Sequence, residues 1–130
     1  MSSFALDSSA LIALINEEPG ADIVTSGLAA SAISTVNLAE VVTKLVERGI
    51  DVRDLPQMLV EGKVEIVPFT EAQAFLCGRL RQITRSRGLS LGDRACLALA
   101  QERGLTAVTA DTAWVGVTSV PVLLIRSPKP

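Results

Sequence analysis

Short apolar segments alternate with longer segments of helical periodicity along the sequence, and this alternation restricts the possible folds more than any other feature. The expected strands are residues 3–6, 32–34, 64–67, 107–109 and 120–125. The expected helices are residues 10–15, 21–29, 36–48, 51–61, 70–86 and 90–103. Two parallel strands need a crossover between them, which a helix usually supplies. The order of elements therefore predicts an α/β domain built on a mainly parallel sheet.

Two of these helices have recognisable inward faces, because their apolar residues recur at helical spacing. In the helix 36–48, which Gly49 is expected to end, the residues on that face are Leu38, Val41, Val42 and Leu45. In the helix 70–86, the inward residues are expected to be Phe75, Leu76, Leu80 and Ile83.

The chain of 130 residues has the size of a single domain, 1–130, with one core. Its 12 basic and 14 acidic side chains give a net charge of -2, so a nucleic acid would have to be held by a local basic patch. The longest apolar runs, 10–15 and 120–125, are far shorter than the ~20 residues that a membrane-spanning helix needs. The N-terminus has no basic region before its apolar stretch and reaches Asp7 at once, so we expect a cytoplasmic protein.

The sequence contains no histidine, and this excludes several kinds of active site. Without imidazole there is no Ser-His-Asp or Cys-His site, no histidine general acid and no zinc site that uses histidine. Cys77 and Cys96 are the only thiols, too few for a thiolate zinc cage and not spaced as CxxC. We expect both to be buried as small apolar side chains. Any chemistry must come from carboxylates, hydroxyls, amines or a metal that they hold.

Four acidic residues are candidates for a ligand site; three lie at strand-to-helix junctions, and the fourth, Asp93, lies at a helix-to-helix turn and is inferred to reach the same side of the sheet. They are Asp7 after the first strand, Glu40 in the helix after the second strand, Asp93 at the start of a late helix, and Asp111 after the fourth strand. In open sheets, ligands bind beyond the carboxyl ends of the strands. Acids that converge there would repel one another without a cation, and oxygen ligands suit a hard divalent ion such as Mg²⁺ or Mn²⁺. Two nearby hydroxyls, Ser9 and Thr109, could orient these acids or accept a metal-bound water.

Each acid also has a purely structural interpretation. Asp7 and Asp111 could cap helices or turns, because a short carboxylate accepts free backbone N–H groups well. Asp93 stands three residues after a serine and could form a capping box with it. Glu40 could lie opposite the inward face of its helix and form a surface pair with Lys44.

The four segments that carry these acids resemble a PIN domain, specifically the VapC-like ribonuclease toxins of type II toxin–antitoxin pairs. The segments are 6–11 (LDSSAL), 34–41 (STVNLAEV), 91–95 (LGDRA) and 109–114 (TADTAW). Their order and separations over nearly the whole chain carry the resemblance. It implies a three-layer α/β/α fold with a central, mainly parallel sheet of four to five strands. It also implies endonucleolytic cleavage of RNA, a homodimer, and a small antitoxin whose tail covers the acidic site.

The same resemblance implies a Mg²⁺ or Mn²⁺ site built from all four acids. We expect Asp7 and Asp93 to be the principal ligands. Glu40 would be a ligand or a water positioner, and Asp111 a ligand of a second or weaker metal. A metal that lowers the pKa of its bound water from about 15.7 towards 7 allows phosphodiester hydrolysis without histidine. Attack by this water would leave a 5′-phosphate and a 3′-hydroxyl.

The only concentration of basic residues lies in the second half of the chain. Arg81 and Arg85 share a helix face and are candidates for contacts with RNA phosphates. Arg94 directly follows Asp93 and could steer the scissile phosphate. The alternative is a solvated helix end whose cations favour the C-terminal dipole. Because aromatic residues make up 3% of the chain, we expect no stacking platform for bases and assign Trp114 to packing in the core or a dimer.

Three other interpretations stay open. A PIN nuclease of RNA processing would have the same residues. A receiver-like regulatory α/β domain would have this length and an acidic Mg²⁺ pocket, but it needs adjacent acids after the first strand and a late lysine. Here Asp7 has serine neighbours, and no lysine occurs between Lys63 and Lys129. A structural, partner-binding protein would use all four acids as caps.

Overall fold

The computed structural model describes residues 1–126, so the last four residues of the expected domain 1–130 lie outside the described residues. Five parallel strands form one sheet in the order β3-β2-β1-β4-β5. The strands are β1 (Phe4–Leu6), β2 (Ser31–Ser34), β3 (Glu65–Val67), β4 (Thr106–Thr109) and β5 (Val122–Leu124). The predicted parallel α/β architecture is confirmed.

Six helices connect these strands. They are α1 (Ser8–Ile15), α2 (Ala21–Gly27), α3 (Thr35–Glu47), α4 (Leu55–Glu61), α5 (Glu71–Thr84) and α6 (Leu91–Arg103). Short 3₁₀ turns follow α2, α5 and β4. Within the described part of the chain, no helix is both long and apolar enough to span a bilayer.

The helices cover both faces of the sheet because successive strand residues point to opposite sides. Ala5, Ala32 and Ala107 pack in one cluster with α5 and α6. Leu6, Ile33 and Val108 face the other layer, which is formed by α1 to α4. The small alanines let α6 approach the sheet closely, and its residues from Ala95 to Ala100 are all buried. The result is the expected three-layer arrangement, with the start of α6 near the carboxyl edge of the sheet.

The strand order places a topological switch at the centre of the sheet. From β1 the chain passes first to β2 and β3 on one side, and later to β4 and β5 on the other. Leu6 pairs with Ile33 and with Val108, so the ends of β1, β2 and β4 are level. A ligand crevice in such sheets lies at this point, outside the carboxyl ends of the strands.

The predicted start of the fourth helix was wrong. Residues 51–54 form a turn, and α4 begins only at Leu55. The carboxylate of Asp51 accepts a hydrogen bond from the backbone N–H of Arg53 at 2.9 Å and also holds its guanidinium. An aspartate that bonds to the backbone two residues further on favours a turn over a helix.

The predicted inward face of the fifth helix was partly wrong. Leu80 is buried and Leu76 half-buried, but Phe75 and Ile83 are 63% and 54% exposed. The buried residues of α5 are Gln73, Cys77, Leu80 and Thr84. Two of them are polar, yet the Gln73 amide donates to Glu102 and the Thr84 hydroxyl donates to a carbonyl of its own helix. Because the Gln73 amide nitrogen and the Thr84 hydroxyl have partners, the helix can turn both side chains inward against α6 and expose larger apolar side chains.

Cys77 and Cys96 are both buried free thiols, as expected. Trp114 is buried in the cluster that contains α5 and α6, which agrees with the expected packing role.

Candidate active site

Asp7 lies at the carboxyl end of β1 and caps α1. Its side chain is 3% exposed, and each carboxylate oxygen has protein donors. Oδ1 accepts hydrogen bonds from the Ala10 N–H at 2.8 Å and from the Ser9 hydroxyl at 2.7 Å. Oδ2 accepts a hydrogen bond of 2.5 Å from the hydroxyl of Thr109, at the end of β4. These bonds fix one buried carboxylate between the ends of two strands.

The two hydroxyls that hold Asp7 are themselves held by the backbone. The Ala110 N–H donates to the Ser9 oxygen at 3.0 Å, and the Asp111 N–H donates to the Thr109 oxygen at 3.0 Å. Because each hydroxyl has one proton, which it gives to Asp7, these backbone donors orient both hydroxyls toward the carboxylate.

Asp7 is a poor site for a negative charge as long as nothing positive lies beside it. Burial raises the pKa of Asp7 from 3.8 to about 6, even though its three hydrogen-bond donors act in the opposite direction. The negative charge of Asp93 raises the pKa of Asp7 a little further. A cation beside Asp7 would favour the charged carboxylate and offset the effect of burial.

Asp93 lies in the first turn of α6 and forms the capping box that the sequence suggested. Its Oδ2 accepts a hydrogen bond from the Ser90 N–H at 2.9 Å, and the Ser90 hydroxyl accepts one from the Asp93 N–H at 3.2 Å. The Oδ1 atom of Asp93 has no hydrogen-bond partner among residues 1–126. Capping therefore leaves one oxygen of this carboxylate available for another role.

Glu40 faces α6. The pair with Lys44 that its spacing allowed does not form within the described residues. Its carboxylate lies directly against Gly92, so closely that a Cβ atom at position 92 would collide with it. The Asn37 side chain bridges the two residues, because its Nδ2 donates to Glu40 Oε1 at 3.0 Å and to the Gly92 carbonyl at 2.9 Å.

Cys96 lies within the electrostatic influence of three of the four acids. Cys96 lies one turn into α6, fully buried, with its thiol donating to the Ala5 carbonyl at 3.5 Å. Burial raises the pKa of Cys96 well above its usual value, and the negative charges of Asp7, Asp93 and Glu40 all add to the effect. Three acids that are far apart in the sequence therefore surround the first turns of α6.

Asp111 is the fourth acid, and its side chain does not lie with those of Asp7, Glu40 and Asp93. It is exposed, and its Oδ1 accepts a hydrogen bond from the Ala113 N–H at 2.9 Å as the cap of a 3₁₀ turn. Its link to the others is the backbone hydrogen bond to Thr109. Asp111 thus lies at the rim of the group, in the capping role that was its structural alternative.

The donor set fits a hard divalent cation. Within residues 1–126, no three acidic or thiol side chains are already arranged so that they could hold a metal together, and none of the four acids forms an ion pair. Three carboxylates that converge without a positive partner repel one another, and oxygen ligands are those that Mg²⁺ and Mn²⁺ select. Burial is the main cause of the raised pKa of Asp7, and the negative charge of Asp93 adds a smaller contribution.

The arginines expected to bind substrate occupy two different environments. Arg81 and Arg85 are exposed on α5 and the 3₁₀ turn after it. Arg94 is half-buried, and its Nη1 donates to the Cys77 carbonyl at 3.0 Å, which ties it to α5. Arg87 donates in a similar way to the Ala113 and Val115 carbonyls.

Asn37 and Gly92 belong to the site and were not among the residues selected from the sequence. Asn37 shares the buried face of α3 with Val41 and Leu45, at spacings of four residues. The available signal in the sequence was the carboxamide of Asn37 on a helix face otherwise filled by apolar residues. Nothing in the sequence shows that Gly92 is needed, because this need arises only where α3 meets α6.

We expect Thr109→Val to destabilise the fold by about 1.5–3 kcal/mol at pH 8, the range for a lost hydrogen bond to a charged group. Valine fills the same volume but leaves Asp7 Oδ2 without its donor. Urea unfolding in EDTA measures the effect. The control is Thr43→Val, because the Thr43 hydroxyl is exposed and donates only to the Ala39 carbonyl of its own helix. Equal stabilities of the two variants would contradict the expected role of Thr109.

The fold and the acids together define a class, that of parallel three-layer α/β proteins with carboxylates gathered at the carboxyl edge of the sheet. A model of the PIN domain family matches residues 4–118 of the chain. The chain therefore belongs to the PIN domain family. No curated protein matches its sequence.

Several solved structures are similar in fold. A chain of a toxin–antitoxin complex from Klebsiella pneumoniae superposes with a TM-score of 0.73 at 21% identity, over 97% of this chain and 100% of that one. A DNA-bound VapBC complex from Salmonella typhimurium gives 0.71 at 18% identity, over 97% and 100% of the two chains. VapC20 from Mycobacterium tuberculosis, described as a sarcin-ricin loop cleaving toxin, gives 0.70 at 19% identity, over 92% and 99%. At these identities the likeness concerns the fold.

Proposed function

We propose that this chain is a divalent-metal-dependent endoribonuclease, the toxin of a type II toxin–antitoxin pair, which acts in the cytoplasm as a single domain. The observation that carries the proposal is the convergence of Asp7, Glu40 and Asp93 around the start of α6 without any cationic partner among the described residues. Membership of the PIN family and the folds of the toxin–antitoxin structures support it.

The residues would divide the work in this way. Asp7 and Asp93 would hold the ion, Glu40 would hold it or position the attacking water, and Asp111 would contribute from the rim or hold a second, weaker ion. A bound Mg²⁺ or Mn²⁺ would lower the pKa of a water molecule and screen the negative charge that develops on the phosphate. Ser9 and Thr109 keep Asp7 in one orientation through the hydrogen bonds described above.

RNA is the substrate that the surroundings of the acids favour. Cys77 contacts the Leu91 carbonyl at 3.8 Å, so the second half of α5 lies beside the start of α6, which carries Asp93. The exposed Arg81 and Arg85 extend from that end of α5. Arg94 is held by α5 and would act on the scissile phosphate through its charge. Among the solved relatives in fold, VapC20 is described as cleaving the sarcin-ricin loop, which is an RNA.

The proposal is tested by incubating the purified chain with structured RNAs and Mg²⁺ or Mn²⁺, with EDTA and Asp93→Asn as controls. We expect cleavage that needs the metal and Asp93 and that leaves a 5′-phosphate and a 3′-hydroxyl. Cleavage that persists in both controls would contradict the metal site. A 2′,3′-cyclic phosphate product would mean that the RNA 2′-hydroxyl, and not water, attacks the phosphate.

The partners are proposed as a small antitoxin and a second copy of the chain. Phe75, Ile83 and Leu91 expose apolar surface on and beside α5, which suits association. Copurification of a small protein with the native chain would favour the toxin over a nuclease of RNA processing. Light scattering of the purified chain would give a dimer mass.

We expect Arg81→Ala and Arg85→Ala each to weaken RNA binding and to lower the slope of log affinity against log salt by about 0.7, the contribution of one single-strand phosphate contact. Fluorescence anisotropy with a labelled RNA at several salt concentrations measures both effects. Arg53→Ala is the matched control, because Arg53 is also exposed but pairs with Asp51. A salt slope that changes equally in all three variants would contradict a phosphate-binding role for α5.

A further inference from the structure

Asn37 is a polar side chain that is almost fully buried between two helices, and its burial there needs an explanation. It is 1% exposed, on the face of α3 that meets α6, and its Nδ2 makes the two hydrogen bonds to Glu40 and Gly92. Its Oδ1 is buried and has no partner. A buried carbonyl oxygen without a donor costs about 1–3 kcal/mol, so an apolar residue would serve packing better. The useful part of this side chain is its NH₂ group.

The partners of Asn37 fix its orientation. The carboxylate of Glu40 and the carbonyl of Gly92 are both acceptors only, so the side chain must direct its nitrogen toward them. The reversed amide would set Oδ1 against two other oxygens. The Asn37 amide therefore links the Glu40 carboxylate on α3 to the backbone carbonyl of Gly92 on α6. Gly92 is the residue immediately before Asp93.

Without the hydrogen bond from Asn37, no side chain among residues 1–126 would hold the Glu40 carboxylate against α6. A glutamate has three rotatable side-chain bonds, and Lys44, one turn further along α3, offers a positive charge in solvent at favourable helical spacing. Instead the carboxylate lies against Gly92, in space that exists only because this residue has no Cβ. Asn37 supplies the hydrogen bond and Gly92 supplies the room.

We propose that Asn37 is a positioning residue, which holds the Glu40 carboxylate against Gly92 so that Glu40 and Asp93 can share a divalent ion with Asp7. The inference rests on the metal site of the proposed function and adds a residue to it. Asn37 itself does not touch the ion. Asn37 acts through Glu40. Replacing Asn37 therefore lowers the affinity for the metal only in a chain whose residue 40 is the charged glutamate.

The test is a double-mutant cycle with Mn²⁺ binding as the readout, measured by the electron paramagnetic resonance of the free ion, so that no activity is required. Asn37→Leu keeps most of the volume and removes the donors. Alone, it should weaken Mn²⁺ binding about 10-fold, within the 10–100-fold range for partners of metal ligands. In a Glu40→Gln background the same change should alter the affinity less than twofold, because the carboxylate to be positioned is gone.

The chain contains a matched control for a buried amide. Gln73 is also 1% exposed, donates its Nε2 to a glutamate on α6 at 2.9 Å, and leaves its Oε1 unpaired. It lies near the other end of α6, beside Glu102. Gln73→Met should therefore leave the Mn²⁺ affinity within twofold of the wild-type value, even if it changes stability as much as Asn37→Leu does.

A second variant tests the same arrangement without removing a buried side chain, in case Asn37→Leu does not fold. Gly92→Ala should push the Glu40 carboxylate away and weaken Mn²⁺ binding by a similar factor. Gly78→Ala is its control, because a Cβ at Gly78 on α5 meets no neighbouring atom.

The outcomes separate the two proposals. Equal losses of affinity from Asn37→Leu with and without Glu40→Gln, or no loss from either Asn37→Leu or Gly92→Ala, would overturn the role of Asn37 and leave the metal site intact. No Mn²⁺ binding by the wild-type chain at millimolar concentration would overturn the metal site and this inference with it.

Discussion

Asp7→Asn should reduce RNA cleavage about 10³-fold or more and at the same time make the metal-free protein harder to unfold at pH 8. The loss of activity follows because asparagine is a much weaker ligand for a hard divalent ion. A metal supplies several kcal/mol to the transition state, and each 1.36 kcal/mol changes the rate tenfold. Gel assays of RNA cleavage under single-turnover conditions measure this effect.

The gain in stability follows from the pKa of Asp7. It is about 6 in the folded chain, against 3.8 for a solvated aspartate, so between these values the folded state binds more protons than the unfolded state. Stability therefore falls as the pH rises from 3.8 through 6, and above pH 6 the buried charge costs about 3 kcal/mol. Asparagine carries no charge and can still cap α1 by accepting the Ala10 N–H.

Urea unfolding in EDTA at pH 8 and at pH 4 measures this gain. We expect the variant to be more stable than the wild type at pH 8 by up to about 3 kcal/mol, less whatever its altered hydrogen bonds to Ser9 and Thr109 lose. The difference should shrink toward pH 4, where the wild-type side chain is protonated in the folded state. Asp54→Asn is the control, because Asp54 is an exposed residue before α4 whose side chain makes no capping bond. A difference in stability between variant and wild type that stays the same at pH 8 and pH 4 would contradict an uncompensated charge at position 7.

Removal of divalent ions should have the second large effect, on both cleavage and stability. EDTA should abolish cleavage, and adding Mn²⁺ back at about 100 times its dissociation constant should restore it and stabilise the fold by about 2.7 kcal/mol. The physical reason is that the proposed ion would bind only the folded site and relieve the repulsion among Asp7, Glu40 and Asp93. Binding requires ionised Asp7, so the stabilisation should weaken as the pH falls below about 6.

Thermal unfolding with and without Mn²⁺ measures this stabilisation, and Asp7→Asn and Asp93→Asn should largely lose it. Ca²⁺ at the same concentration tests whether the effect is specific, because Mg²⁺ sites demand shorter bonds and stricter geometry than Ca²⁺ sites. Equal stabilisation of the wild type and both variants by Mn²⁺ would point to binding elsewhere on the chain.

The fold was predictable because it depends on local patterns. Strand and helix alternate in the sequence, and each parallel crossover needs a helix, so the five parallel strands follow from their order. The errors concern choices that tertiary contacts decide. Periodicity gives the spacing of a helical face but not its partner, and in α5 the contact with α6 turns Gln73 inward and leaves Phe75 exposed. The late start of α4 depends on one side-chain bond from Asp51.

The candidate site was predictable to a similar extent. The environment of Asp7 follows from short spacings and adjacent strands, which bring Ser9 and Thr109 to its two oxygens. The position of the Glu40 carboxylate depends on how closely α3 approaches α6. The spacing of residues within one helix does not reveal the distance between two helices. For that reason the contacts of Asn37 with Glu40 and Gly92, and the need for glycine at position 92, emerge only from the three-dimensional arrangement.

The central claim is that folding brings Asp7, Glu40 and Asp93 within reach of one divalent ion. Anomalous diffraction from crystals soaked in Mn²⁺ tests it most directly, because manganese gives a far stronger anomalous signal than any atom of the chain. We expect one strong peak within bonding distance of an oxygen of Asp7 and of at least one of the other two carboxylates. A fully occupied Mn²⁺ elsewhere, or no peak among these three acids at saturating Mn²⁺, would contradict the claim.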